Sequence, residues 1–123
     1  MTGGDPRKLD PAIDVAFLNR LVDDIGAKES ARILGLFKLN LREYCKLMQA
    51  EVAAKDIRKI KKIAHGLKGL CMQFGATHSV EIAKMIELKV ESAEEAKVAL
   101  DRLLVEIARV EAFVDSWSEK TGG

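Results

Sequence analysis

Proline is nearly missing from this chain. Only Pro6 and Pro11 occur, both near the start, so nothing after them carries a built-in helix breaker. Aromatic residues make up 5% and Val/Ile/Thr runs are short, which removes the composition that strands favour. Cysteine occurs twice, at Cys45 and Cys71. Two thiols make neither a disulfide framework nor a zinc spacing. Both fall on apolar helical stripes and read as small buried hydrophobes. No apolar run approaches the roughly 20 residues of a membrane span, and the opening MTGGDPRKLD has no apolar signal region. A cytoplasmic protein without a membrane partner is the expectation. An excess of one charge is also absent: 20 Lys plus Arg face 19 Asp plus Glu, a net +1. A general nucleic-acid binder carries a strong basic excess, so no nucleic-acid partner is expected.

What remains is a helical vocabulary. Ala, Leu, Lys and Glu dominate, and 48% hydrophobic residues in 123 suffice for one core. Residues 1–9 read as a flexible lead-in, 10–118 as the domain and 119–123 as a tail. Asp10-Pro11 is a helix-start signal, followed by Ile13, Phe17, Leu18 and Leu21 at helical spacing up to Gly26. A second helix is expected over 28–53. Its stripe is Ile33, Phe37, Leu41, Tyr44, Met48 and Val52, widened by Leu34, Leu36 and Leu47, a face broad enough for two neighbours. A third spans 57–74 with Ile57, Ile60, Ala64, Leu67, Cys71 and Phe74 inward. Gly75 stands where a left-handed helix end belongs, and Thr77 can cap the next helix, 78–90. The Ser-x-x-Glu box at 92–95 opens a fifth helix to about 118. Its seam, from Ala96 through Leu103 and Val110 to Trp117, is unbroken. The expected fold is all-α: an antiparallel up-and-down four-helix bundle with a short extra N-terminal helix capping one end.

One of the two histidines breaks the pattern of bland faces. On a helical wheel His65 falls about 155° from the centre of the third helix's apolar stripe, so it faces solvent. Gly66 follows it and Gly69 stands four residues on, each costing roughly 1 kcal/mol against Ala in a helix interior. Side chains lean toward the helix N-terminus, so a side chain at 69 would lean over the imidazole. The two glycines are read as opening a lane to the ring, Gly69 most directly. Residues 55–62, KDIRKIKK, carry five basic residues and one acidic. Arg58, Lys61, Lys62 and Lys68 share the half of the helix that holds His65, a field that suits a phosphoryl group and an acidic partner surface.

A solvated imidazole titrates near about 6.5 and is mostly neutral at pH 7, leaving one ring nitrogen nucleophilic. Nothing beside it resembles hydrolytic machinery. No Ser/His/Asp set, phosphate-cradling glycine loop after a strand, or carboxylate cluster for magnesium is present. A lone exposed nucleophile makes sense where a partner brings the metal and the catalysis. His78, at the start of the next helix, reads as a cap-region histidine without a function. A His/Cys metal site fails because the cysteines point inward.

His65, Lys68, Gly69, Gly75 and Ala76, within AHGLKGLCMQFGA, together resemble the signature of histidine-containing phosphotransfer (HPt) domains. Ala64 and Leu67 match as well. The resemblance extends in length and helix order over about 10–118. It implies a four-helix bundle relaying phosphoryl groups between receiver-domain aspartates, or from a histidine kinase system to a response regulator. The partners implied are a response-regulator receiver domain, a hybrid histidine kinase, or both. His65 would be the acceptor, Lys68 would steady the phosphoryl group and Gly69 would permit approach. The family often carries a polar residue, commonly Gln, on the following helix. Here Glu87, twenty-two residues past His65, comes level with it in an antiparallel pair and could fix the ring tautomer. The chain departs from the family in having Gly66 where Ser or Thr is usual, and Ser79 where leucine is frequent. Met72, on the His65 side, would supply apolar partner contact beside Arg58, Lys61, Lys62 and Gly66. No cofactor of its own is expected; magnesium would come from the partner receiver domain. The protein would act as a monomer and a phosphotransfer intermediate without turnover of its own.

Two other readings fit the same residues. One is a phosphotransfer-like helical interaction module that binds a regulator or kinase without carrying phosphate. The other is the phosphoacceptor domain of a larger chemotaxis-type kinase.

Overall fold

The computed structural model describes residues 11–121, and these form five helices and no strand. They are α1 Val15–Ile25, α2 Ala27–Ala53, α3 Ile57–Gln73, α4 Thr77–Lys89 and α5 Ala93–Lys120. Helices α2 to α5 make an antiparallel four-helix bundle in which each packs on its chain neighbour and α5 closes back on α2. The expected fold class is the observed one.

The core follows the stripes. Leu34, Phe37, Leu41 and Met48 of α2 meet Ile60, Ala64, Leu67 and Cys71 of α3, with Ile82, Ala83 and Ile86 of α4 and Leu103, Ile107, Val110 and Val114 of α5, all buried. Spacings of three and four put these residues on one face of each helix, and burying that face supplies most of the helices' stability. Leu36 and Leu47 differ from expectation: they are 48% and 53% exposed. The α2 sequence is apolar around more of its circumference than α3 and α5 cover. Burial pushes the thiols of Cys45 and Cys71 up to about 11 and about 12, so both stay protonated and unreactive at neutral pH.

Two helix starts also differ. Asp10 lies outside the described residues, and Pro11 is not helical. Helix α1 begins at Val15, where the Asp14 side chain accepts from the Ala16 N–H at 3.0 Å. Thr77 is the first residue of α4 and not its cap, a position held by Ala76 with no side-chain cap bond. The box before α5 does form, with Ser92 Oγ accepting from Glu95 N at 3.1 Å. Glu95 Oε1 accepts from Glu91 N at 2.7 Å, one residue earlier than the usual arrangement. Helix α5 runs two residues past the expected end, to Lys120.

Gly75 turns the chain between α3 and α4 with φ +68°, a conformation glycine reaches without Cβ strain. Its carbonyl accepts from Asp14 N at 2.9 Å, and Phe74 stacks on Phe37 at 4.4 Å and meets Phe17 edge-on at 6.1 Å. These contacts seat α1 across the end of the bundle. In α4, Ser79 is fully buried, and its Oγ has no partner beyond the weak one offered by the neighbouring Cys71 thiol. A thiol is a poor hydrogen-bond partner, so the buried hydroxyl is left largely unsatisfied, which is destabilising. Ser79→Ala is therefore expected to raise stability by about 1 kcal/mol, read as a higher thermal midpoint. A lower midpoint would mean that the hydroxyl is satisfied in solution.

Candidate functional site

His65 lies in the middle of α3, a helix opened by Asp56, whose side chain accepts from Lys59 N at 3.1 Å. Ala64 and Leu67 on either side of it are fully buried and anchor the helix, so the imidazole is turned outward with 68% of its side chain exposed. Its Nδ1 lies 2.6 Å from Glu87 Oε2 on α4. The other carboxylate oxygen, Oε1, accepts from Lys68 Nζ at 2.8 Å. One carboxylate thus ties the ring to the lysine one turn along. The hydrogen bond from Lys68 and that from His65 hold the Glu87 carboxyl below the usual carboxylate range. A depressed carboxylate contributes its ion-pair stability above its ordinary value of 4.5, and that stability is lost as pH falls through the lowered one.

The Glu87 carboxylate can only accept, so the tautomer it favours in a neutral ring carries the proton on Nδ1. Nε2 then holds the free lone pair, and no described residue bonds to it. Lys68 is only 22% exposed along its side chain and is already engaged. Its ammonium is at hand for a group on the ring, but it must be shared with Glu87.

Around the ring, Arg58 and Lys62 are exposed and Lys61 is half-buried. None of the three has an ion pair with a described residue. Met72 stands 63% exposed on the same side of α3. The two glycines part company. A Cβ at Gly69 would meet nothing within 4 Å, so that lane is open. A Cβ at Gly66 would stand 2.9 Å from the Tyr44 hydroxyl and 3.1 Å from the ring edge. Gly66 makes room for a neighbouring helix's phenol. Tyr44 was legible in the sequence only as part of the α2 stripe. In space its ring crosses toward the outer side of α3. Its hydroxyl has no hydrogen bond to a described residue and is not sealed from solvent.

His78 is the second residue of α4, with Nδ1 3.7 Å from Glu81 Oε1. Among the described residues no group of three or more His, Cys, Asp or Glu is placed to hold a metal ion, and no helix is long and apolar enough to cross a membrane.

Comparison with known proteins agrees with this architecture. The crystal structure of histidine-containing phosphotransfer protein B (HptB) from Pseudomonas aeruginosa PAO1 superposes with a TM-score of 0.79 at 22% sequence identity, over 89% of this chain and 96% of that one. At that identity the likeness is one of fold. No curated protein sequence matches the chain. A family model described as Hpt domain matches residues 32–115, a stretch that holds the outward histidine together with Lys68, Gly69 and Glu87, and so this chain belongs to the Hpt domain family.

Proposed function

We propose that this protein carries a phosphoryl group on His65 Nε2, accepted from and returned to receiver-domain aspartates in two-component signalling. The observation that carries the reading is the ring itself: it stands in solvent, held at Nδ1 by Glu87, with Nε2 open. In the forward step the Nε2 lone pair attacks the phosphorus of an aspartyl phosphate. The N–P bond forms, the P–O bond breaks and the aspartate leaves as a carboxylate. The proton on Nδ1 stays where it is, so the phosphorylated ring becomes an imidazolium. Glu87 then faces a cation, which offsets its repulsion of the phosphoryl oxygens. The open backbone at Gly69 leaves space for the incoming carboxylate. Arg58, Lys61 and Lys62 give the docking face a positive field for an acidic partner surface, with Met72 as its apolar contact. Magnesium belongs to the receiver partner in this scheme. The protein works as a cytoplasmic monomer without turnover of its own.

The test is label transfer. Receiver domains charged with radioactive phosphate are mixed with the purified protein. Acid-labile, base-stable label is expected on the wild type and none on His65→Gln. A protein that binds these receivers yet takes no label would be an interaction module instead.

Glu87 separates tautomer from charge. Glu87→Ala is expected to slow labelling about tenfold, by analogy with losing the group that orients a metal-ligating imidazole. Glu87→Gln keeps an oxygen for the Nδ1–H and should retain most of the rate. Equal slowing in both variants would assign the effect to charge and retire the orienting role.

A further inference from the structure

An open groove of about 850 Å³ runs between α4 and α5, away from the imidazole. Ile82, Met85, Leu88 and Val105 form its apolar lining. Leu88 and Val105 are 60% and 71% exposed, so they add little to the core. Lys84, Lys89 and Arg102 line the same groove, and none has an ion pair or hydrogen bond with a described residue. The acids present are engaged: Glu106 Oε1 accepts from Arg109 Nε at 3.1 Å, and Glu81 lies 3.7 Å from His78. The α2–α5 face is built differently, with Lys38 tied to Asp115 and Arg42 to Glu111 across the two helices.

We propose that the α4–α5 groove docks an acidic amphipathic helix of a partner protein. Apolar side chains of such a helix would cover Met85, Leu88 and Val105, and its carboxylates would meet Lys84, Lys89 and Arg102. The α4 side of the groove extends from His78 to Lys89, which at 1.5 Å per residue is about 17 Å and matches about three turns of helix. Charge argues against a second copy seated groove to groove, because that would set each cluster of cations against itself. Glu87 and Leu88 are neighbours on α4, about 100° apart around its axis. The groove and His65 therefore face different ways and can be occupied together. This inference does not depend on His65 carrying phosphate.

The test uses a fluorescein-labelled helical peptide of about twelve residues, with leucines on one face and glutamates on the rest. A scrambled peptide of the same composition is the control, and the full chain is the binder. Saturable binding that weakens with salt is expected, with amide shifts in α4 and α5. Lys84→Glu with Arg102→Glu, or Leu88→Ala with Val105→Ala, should weaken it about tenfold. These residues are on the surface, so circular dichroism should be unchanged, and labelling of His65 should persist. Equal binding of the scrambled peptide would overturn the proposal, as would shifts confined to α2 and α3. Preference for phosphatidylglycerol vesicles over the peptide would assign the groove to a membrane surface. A mass that doubles with concentration and is reversed by the charge variants would assign it to a second copy.

Discussion

Replacing Gly69 by leucine is expected to stabilise the protein and to cut phosphoryl transfer to His65 by about a hundredfold, the scale on which catalysis responds to a reacting atom held out of place. The two halves of this result have separate causes. A Cβ at position 69 meets nothing within 4 Å, so the side chain has room and the helix gains about 0.5–1 kcal/mol from losing a mid-helix glycine. The same side chain leans back over the turn before it, where the residue four earlier is His65. A partner's aspartyl phosphate must reach Nε2 in line, and isobutyl bulk over the ring removes that approach. Gly69→Ala is the intermediate case: it should gain a similar stability and lose much less transfer. The measurements are thermal denaturation and the initial rate of His65 labelling. Normal transfer in Gly69→Leu would show that access does not pass over this turn. A loss of stability would show that the position is not open.

Much of this architecture could be read from spacing. Leu34, Phe37 and Leu41, or Ala64, Leu67 and Cys71, repeat at three and four and are buried. The same periodicity places His65 outward. Gly75 was legible because a positive φ and glycine go together. What was not legible depends on contacts between distant residues. The start of α1 is set by Asp14, whose N–H bonds Gly75 across the bundle end, and Asp10-Pro11 imitates that start locally. Leu36 and Leu47 extend an apolar stripe, and only the positions of α3 and α5 decide how much of it is covered. The level pairing of Glu87 with His65 follows from an antiparallel turn. The sharing of its second oxygen with Lys68 needs side-chain positions. Ser79 in the core was signalled only by the resemblance, which has leucine frequent there, since a single hydroxyl does not disturb the periodicity around it. The glycines are the clearest case. From the sequence both look like clearance for the imidazole; in space a Cβ at Gly69 would meet nothing within 4 Å, while one at Gly66 would meet Tyr44.

The same substitution three residues earlier should therefore have the opposite sign. Gly66→Leu is expected to destabilise the protein by about 1 kcal/mol net, an overpacking cost of about 2 kcal/mol for a fitted contact less what the helix gains. Its Cβ would stand 2.9 Å from the Tyr44 hydroxyl and 3.1 Å and 3.3 Å from the ring carbons behind it. The ring would have to swing off α3 and give up its packing against the core. Helix propensity pulls the other way by roughly 1 kcal/mol, so the clash must exceed that gain for the net to be a loss. Tyr44→Ala removes the obstacle. In that background Gly66→Leu should become stabilising, because leucine fills the space the phenol has left and the propensity gain is realised. Two substitutions in contact that change each other's sign are coupled by more than their separate errors. The four proteins of this cycle, unfolded in urea, give the coupling directly. Additivity would mean that Gly66 does not accommodate Tyr44 in solution.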